Sequence, residues 1–197
     1  YTSTGGVIWV KSIGNLGDEG ANDLCTDAAG NIFLAGFFQS DTLDFGNGVH
    51  IYNSSSFAEP FVAKFTSNGV IVWAKSAKGS ELDEAKGVAV DASGNVVITG
   101  YFQSDSLIFD TIPSAQIKRE DFSDLFIAKY NSGGVFQWVK SAGGNDDDQG
   151  LGIAVDNTGN VYVIQKQHVN AEDNVDIGFE INKYDSSGNS ITKWGTK

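Results

Sequence analysis

The sequence predicts an all-β protein built from β-propeller blades, because two motifs recur at one spacing and apolar runs alternate with tight turns. A Trp-x-Lys-Ser motif recurs within residues 8–12, 72–76 and 137–141. An Asp-x-x-Gly-Asn motif recurs at residues 27–31, 91–95 and 156–160. Both series step by 64 and then 65 residues. A unit of that length cannot bury its own faces and must stack on its copies.

The middle copy contains four strand patterns and no apolar period of 3.6 residues. In chain order we name these strands A to D, running from the propeller axis outward, and predict them at 87–91, 96–102, 125–130 and 135–140. Tight Gly-containing turns join A to B and C to D, while a long polar stretch, 103–124, joins B to C. Four antiparallel strands per radial unit are typical of a propeller blade.

The whole chain, 1–197, is therefore expected to be one propeller segment. Its repeats are predicted at 21–76, 85–141 and 149–195, and an extra leading strand at 6–12 copies strand D. The third copy has a shorter B–C connection and carries Glu180 where the others have apolar residues, as expected of a terminal unit.

The repeat also resembles the SBBP-type β-propeller repeat of bacterial proteins. The resemblance is carried by residues 87–101, by 126–130 and by the Trp-x-Lys-Ser motif at 138–141, and it covers essentially the whole chain. It implies a large protein that is extracellular or attached to the bacterial cell surface, often with adhesive modules. It implies no particular reaction.

Three blades do not close a ring, since propellers have typically four to eight. The predicted arrangement is therefore a part of a larger propeller, or copies of the chain associate to complete a ring, or the sheets adopt an open arrangement. Open sheet edges favour further pairing in each case.

Composition restricts the class of partner. The chain has 25 acidic and 13 basic residues, a net charge of −12, which argues against binding to nucleic acid or anionic membranes. No apolar run is long enough to span a bilayer. The single cysteine, Cys25, excludes an internal disulfide.

Most acids fall on one predicted face, because the B–C and D–A loops lie together there. Glu19, Asp83 and Asp148 occupy equivalent D–A positions, and Asp146 and Asp147 adjoin the last of them. Clustered carboxylates on loops suit calcium, so these five residues are the candidate metal ligands and calcium the candidate cofactor. The alternative is that they solubilise the face and cap turns, and no EF-hand pattern is present.

Three recurring residue types have structural interpretations. Asp27, Asp91 and Asp156 begin the A–B turns and are expected to accept backbone hydrogen bonds there. The strand-D tryptophans are expected to be buried between blades or at their rim: Trp9, Trp73, Trp138 and Trp194. The strand-C lysines are expected to hold their ammonium groups at the surface: Lys64, Lys129 and Lys183.

The sequence offers no recognisable catalytic motif. The two histidines, His50 and His168, do not recur, and no serine elbow or phosphate loop is present. We predict a non-catalytic binding, adhesion or scaffold module that contacts a protein or carbohydrate through its long B–C loops. The alternatives are a catalytic propeller acting on polysaccharide, since paired carboxylates abound, and a passive spacer.

Overall fold

The computed structural model describes residues 3–120, 122–144, 147–168 and 176–194, and confirms the all-β propeller class. Blade 1 comprises β1 (Glu19–Thr26), β2 (Ile32–Phe38), β5 (Glu59–Phe65) and β6 (Ile71–Ser76). Blade 2 comprises β7 (Asp83–Val90), β8 (Val96–Phe102), β11 (Asp124–Tyr130) and β12 (Phe136–Ala142). Blade 3 comprises β13 (Gln149–Val155), β14 (Val161–His168), β15 (Asp176–Tyr184) and β16 (Ser190–Trp194).

Every ladder in the three blades is antiparallel, in the order A-B-C-D. The described residues contain one 3₁₀ turn, Pro113–Ala115, and no helix that could cross a membrane.

The B–C connections of the first two blades are hairpins, whereas the sequence predicted long polar loops. They consist of β3 (Thr42–Gly46) with β4 (Val49–Tyr52), and of β9 (Ser106–Ile108) with β10 (Gln116–Lys118). Asn47 and Gly48 both adopt positive φ in the first hairpin turn, as Asn-Gly turns require. Leu43, Phe45 and Leu107 are fully buried, so these connections contribute to the core.

Neighbouring blades bury the faces that they turn towards each other. Because side chains alternate along a strand, each blade has two faces: the following face points to the next blade and the preceding face to the previous one. Phe33 and Val62 on the following face of blade 1 share a core with Ile98 and Phe126 of blade 2. The next junction is built in the same way from residues of blades 2 and 3, namely Val97, Leu125, Ile127, Val161 and Val163.

The leading segment, predicted as a strand at 6–12, is not a strand, since no strand C lies beside it among the described residues. The tryptophan of this segment nevertheless makes the same contact with the C–D turn of the next blade as a strand-D tryptophan does. Trp9 donates from Nε1 to the carbonyl oxygen of Ser67, 3.1 Å away, and its ring lies over Gly69. Trp73 repeats this contact one blade later, with Ser132 and Gly134.

The strand-C lysines differ from one another, and the expectation of surface ammonium groups is wrong for Lys129. Its Nζ is buried and lies 3.2 Å from Asp91 Oδ2. Lys64 instead donates to the carbonyl of Ser132 in blade 2, so its head also lies at a blade junction. The side chain of Trp194 lies outside the described residues.

Candidate functional site

A polar pocket of about 480 Å³ opens on the face formed by the D–A and B–C loops. The D–A loop entering blade 2 supplies Ser80 and Glu81, and the next D–A loop supplies Asp147. The B–C connection of blade 2 supplies the remaining lining residues: Gln103, Asp105, Arg119 and Phe122. We refer to this pocket as the acidic basin, since three carboxylates and one guanidinium group line it.

Arg119, the only arginine in the chain, organises one wall of the acidic basin. Its Nη2 lies 3.0 Å from Asp105 Oδ1, and its Nη1 donates to the carbonyl oxygen of Phe122. The Asp105 side chain remains almost fully exposed, so solvent screens this ion pair strongly. Phe122 is itself exposed and gives the wall an apolar surface.

Hydrogen bonds hold the other wall in place. The buried hydroxyl of Ser104 accepts from the backbone N–H groups of Ser80 and Glu81, and donates to Asp83 Oδ2 at 2.7 Å. Across the basin, the hydroxyl of Ser123 donates to Asp147 Oδ1 at 2.8 Å. These hydrogen bonds tie Ser80, Glu81 and Asp147 of the acidic basin to residues of the neighbouring strands and loops.

Two of the predicted metal ligands, Asp83 and Asp148, are buried, and their carboxylates accept hydrogen bonds from residues of their own blades. Asp83 accepts from the backbone N–H groups of Gln103 and Ser104, and burial raises the pKa of its carboxyl to about 6. Asp148 Oδ1 accepts from Gln165 Nε2 at 2.7 Å. Glu19 Oε2 accepts a long bond from the backbone N–H of Asn15.

Within the described ranges, no three Asp, Glu, His or Cys side chains come together as a metal site. Asp147 lines the acidic basin, and Asp146 lies outside the described residues. The candidate calcium ligands are thus not gathered around one point in the part of the chain that the structure describes.

Sequence reasoning missed two buried acids at the start of strand C, Glu59 and Asp124. Each is completely or almost completely buried and has one carboxylate oxygen without a hydrogen-bond partner, Glu59 Oε2 and Asp124 Oδ1. Burial raises the pKa of Glu59 to about 7, and it also raises the pKa of Asp124. Both acids occur five residues before the strand-C lysine, so aligning the repeats around Lys64 and Lys129 could have identified them.

These two acids face the D–A acids of the following blade. The charge of Asp83 contributes to the raised pKa of Glu59, and that of Asp148 to the raised pKa of Asp124. The adjacent backbones are joined by bonds from Asp83 N–H to the Ala58 carbonyl and from Asp148 N–H to the Ser123 carbonyl. A pair of carboxyl groups therefore marks each of the two described blade junctions.

The A–B turns on the opposite face each have an aspartate that binds the turn backbone. Asp156 Oδ1 accepts from the N–H groups of Thr158 and Asn160, and its Oδ2 accepts from the Asn160 side chain. These bonds, led by that of the Asn160 side chain, lower the pKa of Asp156. Asp27 and Asp91 make the same pattern of bonds with their own turns.

A second pocket, of about 490 Å³, lies at the junction between blades 1 and 2. Its apolar wall includes Phe109, Tyr130 and Phe136, and Lys75 and Lys78 lie at its edge. Tyr130 and Phe136 also belong to the core shared by the two blades, so this pocket lies beside the packed junction.

Comparison with known proteins finds a distant curated relative and weak likenesses among solved structures. No family model matches the chain. An uncharacterized WD repeat-containing protein of Acanthamoeba polyphaga mimivirus is 27% identical over 162 residues, which is 68% of this chain and 11% of that protein. A crystal structure of a protein of unknown function from Bacteroides caccae aligns over 91% of this chain and 82% of that one, at 11% identity and a TM-score of 0.31, too low to support an argument. The chain is thus similar, over two thirds of its length, to a small part of a WD repeat-containing protein, in agreement with its propeller blades.

Proposed function

We propose that this chain is a non-catalytic binding and scaffold module that holds a basic segment of a partner protein in the acidic basin. The observation that carries the proposal is the convergence of Glu81, Asp105 and Asp147 on one pocket. The similarity to a WD repeat-containing protein supports a repeat-based binding propeller as the class.

The charges of the acidic basin favour a cationic ligand. Three carboxylates face one guanidinium group, and Arg119 is already engaged with Asp105 and the Phe122 carbonyl. A complementary positive segment would bind faster and more selectively than a neutral or acidic one. Phe122 offers an exposed ring beside the carboxylates, which suits a lysine or arginine side chain with its long apolar stem.

Hydrogen bonds within both walls of the acidic basin reduce the entropy that binding would cost. Ser104 and Asp83 hold one wall, and Ser123 holds Asp147 in the other. A preorganised site loses little conformational entropy when its partner arrives. The acidic basin thus combines the charge that would select a basic segment with walls that internal hydrogen bonds hold in place.

The experiment measures the anisotropy of a labelled peptide of alternating Lys and Ala, with a peptide of alternating Glu and Ala as its counterpart. We expect the basic peptide to bind and the acidic one not to bind. The double variant Glu81→Gln/Asp147→Asn should weaken binding about tenfold or more, because two facing charges are lost while the introduced amide oxygen can still accept from Ser123.

A matched variant removes two charges elsewhere on the same loop face. Asp41→Asn/Asp110→Asn has the same net charge as the basin variant, and neither aspartate lines the acidic basin. Equal weakening by both variants would show only a general effect of net charge and overturn the proposed site. Failure of the basic peptide to bind at low salt would overturn the proposed class of ligand.

A further inference from the structure

We propose that the second pocket, at the junction between blades 1 and 2, binds a small amphipathic carboxylate, a compact apolar body that carries one carboxylate group. Its volume of about 490 Å³ lies within the range of small-molecule sites. None of its described lining residues also lines the acidic basin, so the proposal is independent of the basic partner proposed above. We call this site the junction pocket.

Aromatic rings from blade 2 form the apolar floor of the junction pocket. The rings of Phe109 and Phe136 are stacked, with 6.5 Å between their centroids and 29° between their planes. Tyr130 meets Phe136 edge to face, with 6.0 Å between the centroids. At the rim, Ile108 is 40% exposed and Val135 is 58% exposed. This surface favours an aromatic or aliphatic body, which gains free energy by leaving water.

Blade 1 supplies the other side of the junction pocket. The backbones of Lys78 and Ile108 exchange two hydrogen bonds, of 2.8 and 2.9 Å, which join the end of blade 1 to the B–C connection of blade 2. Lys75 lies two residues after Trp73 on strand D, so the two side chains share the following face of blade 1. The junction pocket therefore exists because the two blades stack, and both of its lysines come from blade 1.

One polar group of the junction pocket is buried without a partner. Tyr130 is 2% exposed, and no described residue makes a hydrogen bond with its hydroxyl group. Tyr101, which is also buried, donates instead to Glu84 at 3.0 Å. Buried polar groups are nearly always hydrogen-bonded, so an unpaired hydroxyl on a pocket-lining residue indicates a ligand. Burial raises the pKa of Tyr130 and the charge of Asp110 raises it further, so the phenol keeps its proton and can donate.

The charges at the edge of the junction pocket favour an anion. Lys75 and Lys78 are exposed, and neither forms an ion pair within the described part of the chain, although the charge of Lys78 also reaches Glu59. Asp110 lines the pocket too, but its Oδ1 already accepts from the backbone N–H of Thr111 at 2.6 Å and from its hydroxyl at 3.1 Å. Two ammonium groups thus outnumber one engaged carboxylate, the opposite balance to that of the acidic basin.

A carboxylate with an apolar body uses all of these groups at once. One of its oxygens can accept from the Tyr130 hydroxyl and the other from a lysine at the edge, in charge-assisted hydrogen bonds. A neutral apolar molecule would leave the lysines without a counter-charge, and an inorganic anion would leave the aromatic floor in water.

The experiment is titration calorimetry of the full chain with naphthylacetate at neutral pH and low salt. Naphthylacetamide has the same rings without the charge, and acetate has the charge without the rings. We expect naphthylacetate to bind about tenfold or more tightly than either counterpart, because each of them loses one half of the interaction.

Tyr130→Phe removes only the hydroxyl group and should weaken the binding of naphthylacetate about tenfold. Blade 1 carries Phe65 at the equivalent position, where it is 4% exposed, so a blade accommodates phenylalanine there. Tyr184→Phe makes the same change in blade 3, outside the junction pocket, and should leave binding unchanged. Tyr130→Phe should not lower the unfolding temperature of the free protein, since the hydroxyl bonds no described residue.

Lys75→Gln should weaken binding about threefold, as for the loss of one exposed charge pair. Lys140→Gln is its matched control, because Lys140 follows Trp138 as Lys75 follows Trp73 but does not line the junction pocket. Equal weakening within either matched pair of variants would overturn the proposed site. Equal affinity for naphthylacetate and naphthylacetamide, or no measurable binding of naphthylacetate, would overturn the proposed class of ligand. A clear loss of stability in Tyr130→Phe would also overturn the site, because the hydroxyl would then serve the fold.

Discussion

Lys129 and Asp91 form a buried ion pair inside blade 2, with 3.2 Å between Nζ and Oδ2. Asp91 starts the A–B turn and also accepts from the backbone N–H groups of Ser93 and Asn95. The pair therefore ties strand C to the turn between strands A and B. Its equivalent in blade 3, Lys183, lies over the ring of Tyr162.

We predict that Lys129→Met lowers the free energy of unfolding by about 2–3 kcal/mol, because it leaves a buried carboxylate without its cation. Urea denaturation measures the loss as a shift in the transition midpoint. Lys183→Met is the control and should cost much less, because Lys183 is more exposed. Equal losses would mean that Lys129 acts only through its packed stem.

The contact between each strand-D tryptophan and the next blade predicts a strong dependence on one glycine. A Cβ on Gly134 would lie 2.8 Å from the Trp73 ring, and Gly134 has a φ of +77°. Gly48 has nearly the same φ, +76°, but its Cβ would meet nothing within 4 Å. Gly48→Ala should therefore cost only the backbone strain, about 1–2 kcal/mol.

Gly134→Ala should cost roughly 1–3 kcal/mol more than Gly48→Ala, since it also displaces Trp73 from a packed junction. Thermal unfolding of the two variants side by side measures the difference, and Trp73 fluorescence should change only in the first. Similar unfolding temperatures would indicate that the contact between Trp73 and Gly134 adds nothing to the stability of the junction between blades 1 and 2.

The raised pKa of Glu59 predicts that the free energy of unfolding falls as the pH rises from about 4.5 to about 7. Its carboxyl has a pKa of about 7 in the folded protein against 4.5 for a glutamate in the unfolded chain, so between these values the folded state binds more protons than the unfolded state. The free energy of unfolding should then decrease from about pH 4.5 to about pH 7, by up to about 3 kcal/mol.

Glu59→Gln should remove much of this slope and make the variant more stable than the parent at pH 8. A smaller slope should persist, because the pKa of Asp83 is also raised. Denaturation midpoints measured across this pH range test the effect. A parent protein whose stability rose steadily from pH 4.5 to 7 would contradict the prediction.

The first B–C hairpin predicts a large cost for truncating its core side chain. Phe45 is 1% exposed and packs edge-to-face against Phe61 of strand C. Phe45→Ala should cost about 3–5 kcal/mol, as for other buried aromatic truncations. Urea denaturation of the two variants measures the loss in the free energy of unfolding. Tyr52→Ala, in the same hairpin but exposed, should lower it only slightly. A small loss for Phe45→Ala would mean that the connection behaves as the loose loop predicted from the sequence.

The sequence by itself determined the repeat, its four strands per unit and the tight turns between them. These features are local, because an Asp-x-x-Gly-Asn turn and an apolar run of β-branched residues have the same preference wherever they occur. The direction of the strands also placed the D–A and B–C loops on one face, which is where the acidic basin lies. Glu81, Asp105 and Asp147 were recognisable as loop acids, although only Asp147 was selected as a candidate ligand.

Tertiary structure alone decided which residues meet. The B–C hairpins have strands of three to five residues, too short to stand out in sequence, and they form because Phe45 and Leu107 can pack on a neighbouring sheet. Residues 6–12 have a strand-D sequence but no strand, because a strand requires a paired neighbour. The burial of Lys129 and Glu59, and the convergence of three acids on one basin, depend on blade stacking, whose distances are set by packing between segments far apart in sequence.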